Sequence, residues 1–181
     1  MTGAAPAVTG LYGKLPRHGD YVRRALPEGF APRWGDWLAA CMDRAVAALG
    51  REGLEAAWPG LGAWRFQAAA GLFGPWAPTG ILVPSRDAVG RLFPLTLVAA
   101  CSPLPEAAWF AALEALAVEA VAGGLDADGL AAAAPPAVAE GEGMPAGPGT
   151  IAWWRAGLEP AAMPLGPDQL LRLLGREGGA P

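Results

Sequence analysis

Histidine occurs once and cysteine twice in this chain of 181 residues, and charged residues make up only 17% of it. Each scarcity excludes a class of function. The lone histidine, His18, has no cysteine pair at ligand spacing to join it, and a zinc site is built from three or four Cys, His or carboxylate ligands. No metal or other cofactor is expected. Thirteen Lys and Arg stand against 17 Asp and Glu, a net charge of −4, and no basic block compensates locally. Without it the counterion release that drives binding to nucleic acid or an anionic membrane is missing, so neither is an expected partner. Cys41 and Cys101 each lie in an apolar segment, where a free thiol behaves as a small hydrophobe, and so sparse a cysteine content suits a reduced cytoplasm. The start, Met1 to Pro6, has neither a basic region nor an apolar stretch, so no secretory signal is expected. The longest uncharged apolar run, Leu92 to Cys101, is about half the ~20 residues a membrane-spanning helix requires, and it contains Pro94.

What is present is core-forming material. The chain is 53% hydrophobic and long enough to bury roughly two thirds of the surface its unfolded form exposes. The expectation is a single domain over residues 1–181, with an Ala/Gly/Pro-rich, mobile segment over about 123–149. Short strands are predicted at 8–12 and 20–26, with Gly13, Pro16 and Gly19 punctuating the connection. Trp34, Trp37, Leu38, Cys41 and Ala45 recur at helical spacing, which predicts a helix over about 32–49 that stops at Gly50. A short helical turn near 52–58 follows. Three apolar segments rich in strand formers or bounded by turns (64–70, 80–83 and 92–100) predict an at least partly antiparallel sheet. The last is apolar on both faces apart from Thr96, as a central strand covered on both sides would be. A second amphipathic helix is predicted over 106–122, a weak turn near 128–134, a final strand at 150–154 and a final helix over 167–174. Trp153 and Trp154, adjacent on a strand, point to opposite faces, which leaves one of them free for exposure at an interface.

The catalytic inventory is thin. Gly10-Leu-Tyr-Gly13-Lys14 lacks the spacer and the Ser/Thr of a phosphate-binding loop, and Ser85 lacks the glycine-flanked elbow of a serine nucleophile. The polar residues that stand out are Lys14, Asp20, Arg65, Ser85, Asp87 and Arg91, all set among apolar or turn residues. An isolated buried ion is very costly, so such charges must be paired or placed at a surface. Two readings follow. In the structural one, Asp20 and Asp87 pair with Arg65 and Arg91 to tie loops to the sheet. In the functional one, the same residues form a polar patch at one end of the sheet that receives a partner or an anion, for which the planar arginine fork is suited. An enzymatic variant of the second uses Lys14, Arg65 and Arg91 as anion clamps on a phosphate ester or nucleotide, with Asp20 or Asp87 as base.

Four blocks in order carry a resemblance: Gly10-Leu-Tyr-Gly-Lys-Leu-Pro-Arg-His-Gly-Asp-Tyr-Val-Arg-Arg-Ala-Leu-Pro27, Trp34-Gly-Asp-Trp37, Trp64-Arg-Phe66 and Pro84-Ser-Arg-Asp-Ala-Val-Gly-Arg-Leu-Phe-Pro-Leu-Thr96. Together they resemble the TagF family, also called ImpM, of type VI secretion system-associated proteins. The resemblance implies a three-layer α/β/α sandwich, the sheet being mixed and largely antiparallel. It also implies no catalytic activity, and post-translational repression of the secretion system through binding a cytoplasmic component, a forkhead-associated scaffold protein being the partner. Some relatives carry a PP2C-type phosphatase domain that this sequence lacks. Carried onto matching positions, the family pattern marks Lys14, Gly19, Asp20, Trp37, Trp64, Arg65, Ser85, Asp87, Gly90, Arg91 and Pro94. Tyr21 stands where Phe is common and Leu92 where an aromatic is common, and the chain is short between Leu125 and Thr150.

Overall fold

A computed structural model describes residues 5–140 and 143–175. Its centre is a seven-stranded sheet. The strands are β1 (Gly10–Gly13), β2 (Val22–Arg24), β3 (Trp64–Ala68), β4 (Pro78–Val83), β5 (Leu95–Ala100), β6 (Thr150–Trp154) and β7 (Ala161–Pro164), in the spatial order β2-β1-β5-β4-β3-β6-β7. All six pairings are antiparallel. The mixed character expected of the sheet is therefore absent among the described strands, and its largely antiparallel character extends to every pair.

Strand periodicity sorts the side chains into two cores. Along β5, Leu95, Leu97 and Ala99 enter one core and Val98 the other, while β4 sends Ile81 and Val83 one way and Leu82 the other. Successive side chains of a strand point to opposite faces, so a run apolar at every position must be covered twice. Helices α2 (Ala107–Val121) and α3 (Ala127–Ala133) cover the first face, and α1 (Phe30–Ala57) with α4 (Gln169–Leu173) covers the second. This is the three-layer α/β/α sandwich, with β5 buried at its middle. Thr96, the one polar residue of β5, accepts a 2.9 Å hydrogen bond from the indole Nε1 of buried Trp34, which satisfies both groups where water cannot reach.

Trp34, Leu38, Cys41 and Ala45 form the buried stripe of α1, as their spacing predicts, joined by Phe30 ahead of the expected start, while Trp37 is only half-buried. The first helical segment ends at Gly50, as predicted: that residue adopts φ 71° and ψ 168°, a geometry glycine reaches without a Cβ clash. The chain then resumes in a new direction as a second helical segment, where the turn near 52–58 was expected, which buries Leu54 and leads into a 3-10 turn, Trp58–Leu61.

One further expectation changes. Neither tryptophan of β6 is exposed: Trp153 enters the core under α1 and Trp154 the core under α2, because the strand is covered on both faces. Within 123–149, α3 carries an Asp126 cap on Gly129 N–H at 2.8 Å, and the segment meets the rest of the fold where Thr9 Oγ1 and Trp109 Nε1 both donate to the Pro135 carbonyl and where Ala7 pairs with Ala137. Residues 141–142 lie outside the described residues. Strand β7, short, exposed and ending in Pro164, has no counterpart among the predicted elements.

Candidate functional site

Antiparallel registry decides which polar residues meet. Gly13 faces Leu95 across the β1–β5 pair and Leu95 faces Val83 across the β5–β4 pair, so the ends of β1 and β4 and the start of β5 share one end of the sheet. Lys14 follows β1 there, Ser85 follows β4, and Asp87 and Arg91 lie in the loop that joins β4 to β5.

Asp87 is the hub. Its Oδ2 accepts from Lys14 Nζ at 2.9 Å and from Arg91 Nε at 2.6 Å. Its Oδ1 accepts from the backbone N–H groups of Val89 at 3.1 Å and Arg91 at 2.9 Å. Lys14 and Asp87 are 6% and 3% exposed, so neither touches bulk water to any extent. Burial pushes the Asp87 carboxyl upward, but the Lys14 ammonium and the donors from Arg91 and Val89 outweigh it and hold the group well below the usual carboxylate range. Charge-assisted bonds in a low-dielectric setting are the strong ones.

The same network locks two loops together. Ser85 Oγ donates to the Lys14 carbonyl at 2.7 Å, while the Ser85 carbonyl accepts from Trp58 Nε1 and Phe93 N–H. Arg91 Nη2 donates to the Gly19 carbonyl at 2.7 Å, and Ala88 N–H donates to the His18 carbonyl. His18 Nε2 in turn accepts from Ala127 N–H, the first residue of α3, at 3.0 Å. The histidine is an anchor between layers, and no cysteine or second histidine accompanies it. Among the described residues no group of three or more His, Cys, Asp or Glu is placed to hold a metal ion.

Of the six candidate residues, four assemble: Lys14, Ser85, Asp87 and Arg91. The other two do not join them. Arg65 on β3 is paired with Glu114 of α2, through Nε to Oε1 at 2.7 Å and Nη2 to Oε2 at 3.0 Å, and it lies over the Phe110 ring. Its expected partners, Asp20 and Asp87, are elsewhere. Asp20 is exposed, and its Oδ1 accepts the N–H of its neighbour Tyr21. The reason is strand parity: Arg65 sits on the face that α2 covers, and Glu114 is the carboxylate which that helix presents. Glu114 was legible in principle as a lone acid between Leu113 and Ala117, two buried positions of α2.

The cluster also presents residues that the polar inventory passed over. With Asp87 holding the backbone at 89 and 91, the loop tip projects Val89, 72% exposed, into solvent. Tyr21, 42% exposed, packs edge-on to Phe93 at 4.9 Å and stacks with Tyr12 at 6.0 Å, with Lys14 Nζ 5.2 Å from its ring centroid. The Arg91 side chain is 61% exposed although its Nε is engaged. An exposed tyrosine, valine and arginine on a rigid support have the chemistry of a contact surface.

A family model described as the TagF N-terminal domain, type VI secretion system-associated, matches residues 10–135. No curated protein matches the chain. Among solved structures, the crystal structure of PA0076 from Pseudomonas aeruginosa PAO1 is similar to it, with 27% sequence identity, a TM-score of 0.74, and coverage of 95% of this chain and 96% of that one.

Proposed function

Because this chain belongs to the TagF family of type VI secretion system-associated proteins, we propose that it is a non-catalytic, post-translational repressor of such a system that acts by binding one of its cytoplasmic components. The family resemblance points to a forkhead-associated scaffold as that component. One observation supports the reading above the rest: the ionic cluster is spent on itself. Both oxygens of Asp87 are filled, Lys14 and Ser85 are buried, and what the cluster leaves in solvent is Val89, Tyr21 and the outer part of Arg91. Such a cluster shapes a docking surface and offers no free base or nucleophile.

The enzymatic alternative requires Lys14, Arg65 and Arg91 to converge on an anion with Asp20 or Asp87 free to take a proton. Arg65 is engaged by Glu114 on the α2 side, and Lys14 and Arg91 are both engaged by Asp87, so the clamp is not assembled. No described helix is long and apolar enough to cross a membrane.

The test is genetic. Deleting the gene is expected to raise secretion of the tube protein and overproduction to silence it, with Arg91→Ala relieving the silencing while the protein stays folded by circular dichroism. Unchanged secretion in both the deletion and the overproducing strain, under conditions where the system is inducible, would refute repression.

A further inference from the structure

The kink at Gly50 has a consequence on the surface. It turns the second segment of α1 aside from the first, and the β4–β5 loop closes the opening from the other side. The result is a groove of about 410 Å³ between three walls, within the ~300–1,000 Å³ range of ligand-binding clefts. Met42 and Val46 line it from the first helical segment, Leu54 from the second, and Val89 and Leu92 from the loop. All five are apolar, and Val89 is mostly exposed.

Two arginines complete the lining, Arg51 with no counterion among the described residues and Arg91 with one guanidinium nitrogen still unengaged. Arg51 is exposed and makes no ion pair among the described residues. Arg91 uses Nε on Asp87 and Nη2 on the Gly19 carbonyl, which leaves Nη1 unengaged on an exposed side chain. Glu55, the one acid in the lining, is taken up by Arg86. A chain whose net charge is −4 thus sets one arginine unpaired among the described residues, Arg51, and the unengaged Nη1 of Arg91 beside an apolar trough.

We infer that this groove is a docking site for a short acidic segment of a partner protein, one whose aliphatic or aromatic side chains enter between Val89 and the two parts of α1 while its carboxylates meet Arg51 and Arg91. Arginine forks match carboxylates bidentately, and apolar anchors flanked by polar contacts are how grooves of this kind hold a peptide. Asp87 and Lys14 act here by fixing the loop that carries Val89 and Arg91, so the surface is formed before the partner arrives and little ordering cost remains. This identification of the surface rests on the repressor reading above.

The full chain, immobilised, is to be presented with a displayed library of random twelve-residue peptides, with the double variant Arg51→Glu, Val89→Asp as counter-selection. Both changes are at exposed positions, and circular dichroism and melting are expected to show the fold intact. The expected result is enrichment of peptides that combine Asp or Glu with Leu, Ile, Phe or Met. The enriched peptide, made synthetically and followed by fluorescence anisotropy, should bind at least tenfold more weakly to either single variant and more weakly as salt rises. It should bind unchanged to Leu158→Ser, a control at an exposed apolar residue elsewhere. Enrichment of basic or uncharged peptides, no enrichment, or binding that ignores both variants would overturn the assignment. So would a concentration-dependent dimer that Val89→Asp abolishes, since the occupant would then be a second copy of the chain. If no acidic peptide binds and overproduction still silences secretion, the groove fails while the repressor reading stands. If the peptide binds as described and secretion ignores the protein, the groove stands and repression fails.

Discussion

Removing the carboxylate at position 87 is the sharpest test of how this molecule is held together. Asp87→Ala deletes an acceptor of four hydrogen bonds and leaves the Lys14 ammonium, 8% exposed in its side chain, without a counterion. Breaking a buried ion pair by removing one partner costs about 3–5 kcal/mol, and a domain of this size loses about 2–4 °C of melting temperature per kcal/mol. The expected fall in Tm is therefore about 6–20 °C by calorimetry. Lys14→Met is milder, because Asp87 keeps Arg91 and two backbone donors. Losing one charged donor costs about 1–3 kcal/mol, a fall of about 2–12 °C. In the Asp87→Asn background, where an amide can still accept from the loop N–H groups but the ammonium is uncompensated, adding Lys14→Met should recover stability. The pH dependence follows from the direction of the shift. The folded carboxyl titrates well below its unfolded value of about 3.9, so its contribution is complete above about pH 5 and is lost as pH falls through 4 and below. The wild type should lose stability over that acid range, and Asp87→Asn should lose less of it. If Asp87→Ala melted no lower than Lys14→Met, the description of Asp87 as the hub would be wrong.

Three further outcomes follow from other parts of the fold. Arg65→Met should cost about 1–3 kcal/mol by denaturant titration, since it strands Glu114, and Arg65→Met with Glu114→Leu should be closer to wild type than the single change. Additive effects would show that the pair is not coupled. Gly80→Ala places a methyl against the Leu97 carbonyl of the neighbouring strand β5, and should cost about 3 kcal/mol or more; a wild-type melting curve would contradict the tight β4–β5 approach. Burial pushes the Cys41 thiol up to about 12 and raises that of Cys101, so the native protein should leave both unmodified by a thiol reagent at pH 8, and both should react in guanidinium. Fast labelling of the native protein would show that the thiols are accessible.

How far the sequence could be read depended on the range of the interaction that decided each feature. Helical spacing from Trp34 to Ala45, the doubly apolar run ending at Ala100 and the alternation of Trp153 with Trp154 are local patterns, and they fixed the elements and the demand for layers on both sides of a sheet. The composition likewise ruled that buried charges would be paired. Which charges would pair was a different matter. Lys14 and Asp87 stand 73 positions apart and Arg65 and Glu114 stand 49 apart, and nothing local in either segment prefers one carboxylate over another. Strand order and register made that choice, by bringing the ends of β1 and β4 together and turning Arg65 toward α2. The same holds for exposure: the alternation that gave Trp153 and Trp154 opposite faces was silent on whether a helix covers each. The groove beside Val89 needed the bend at Gly50, the β4–β5 loop and the Asp87 network at once. Periodicity along the chain is set by backbone geometry and is visible in one dimension, whereas partner choice and surface shape arise from segments that meet only after the sheet has closed.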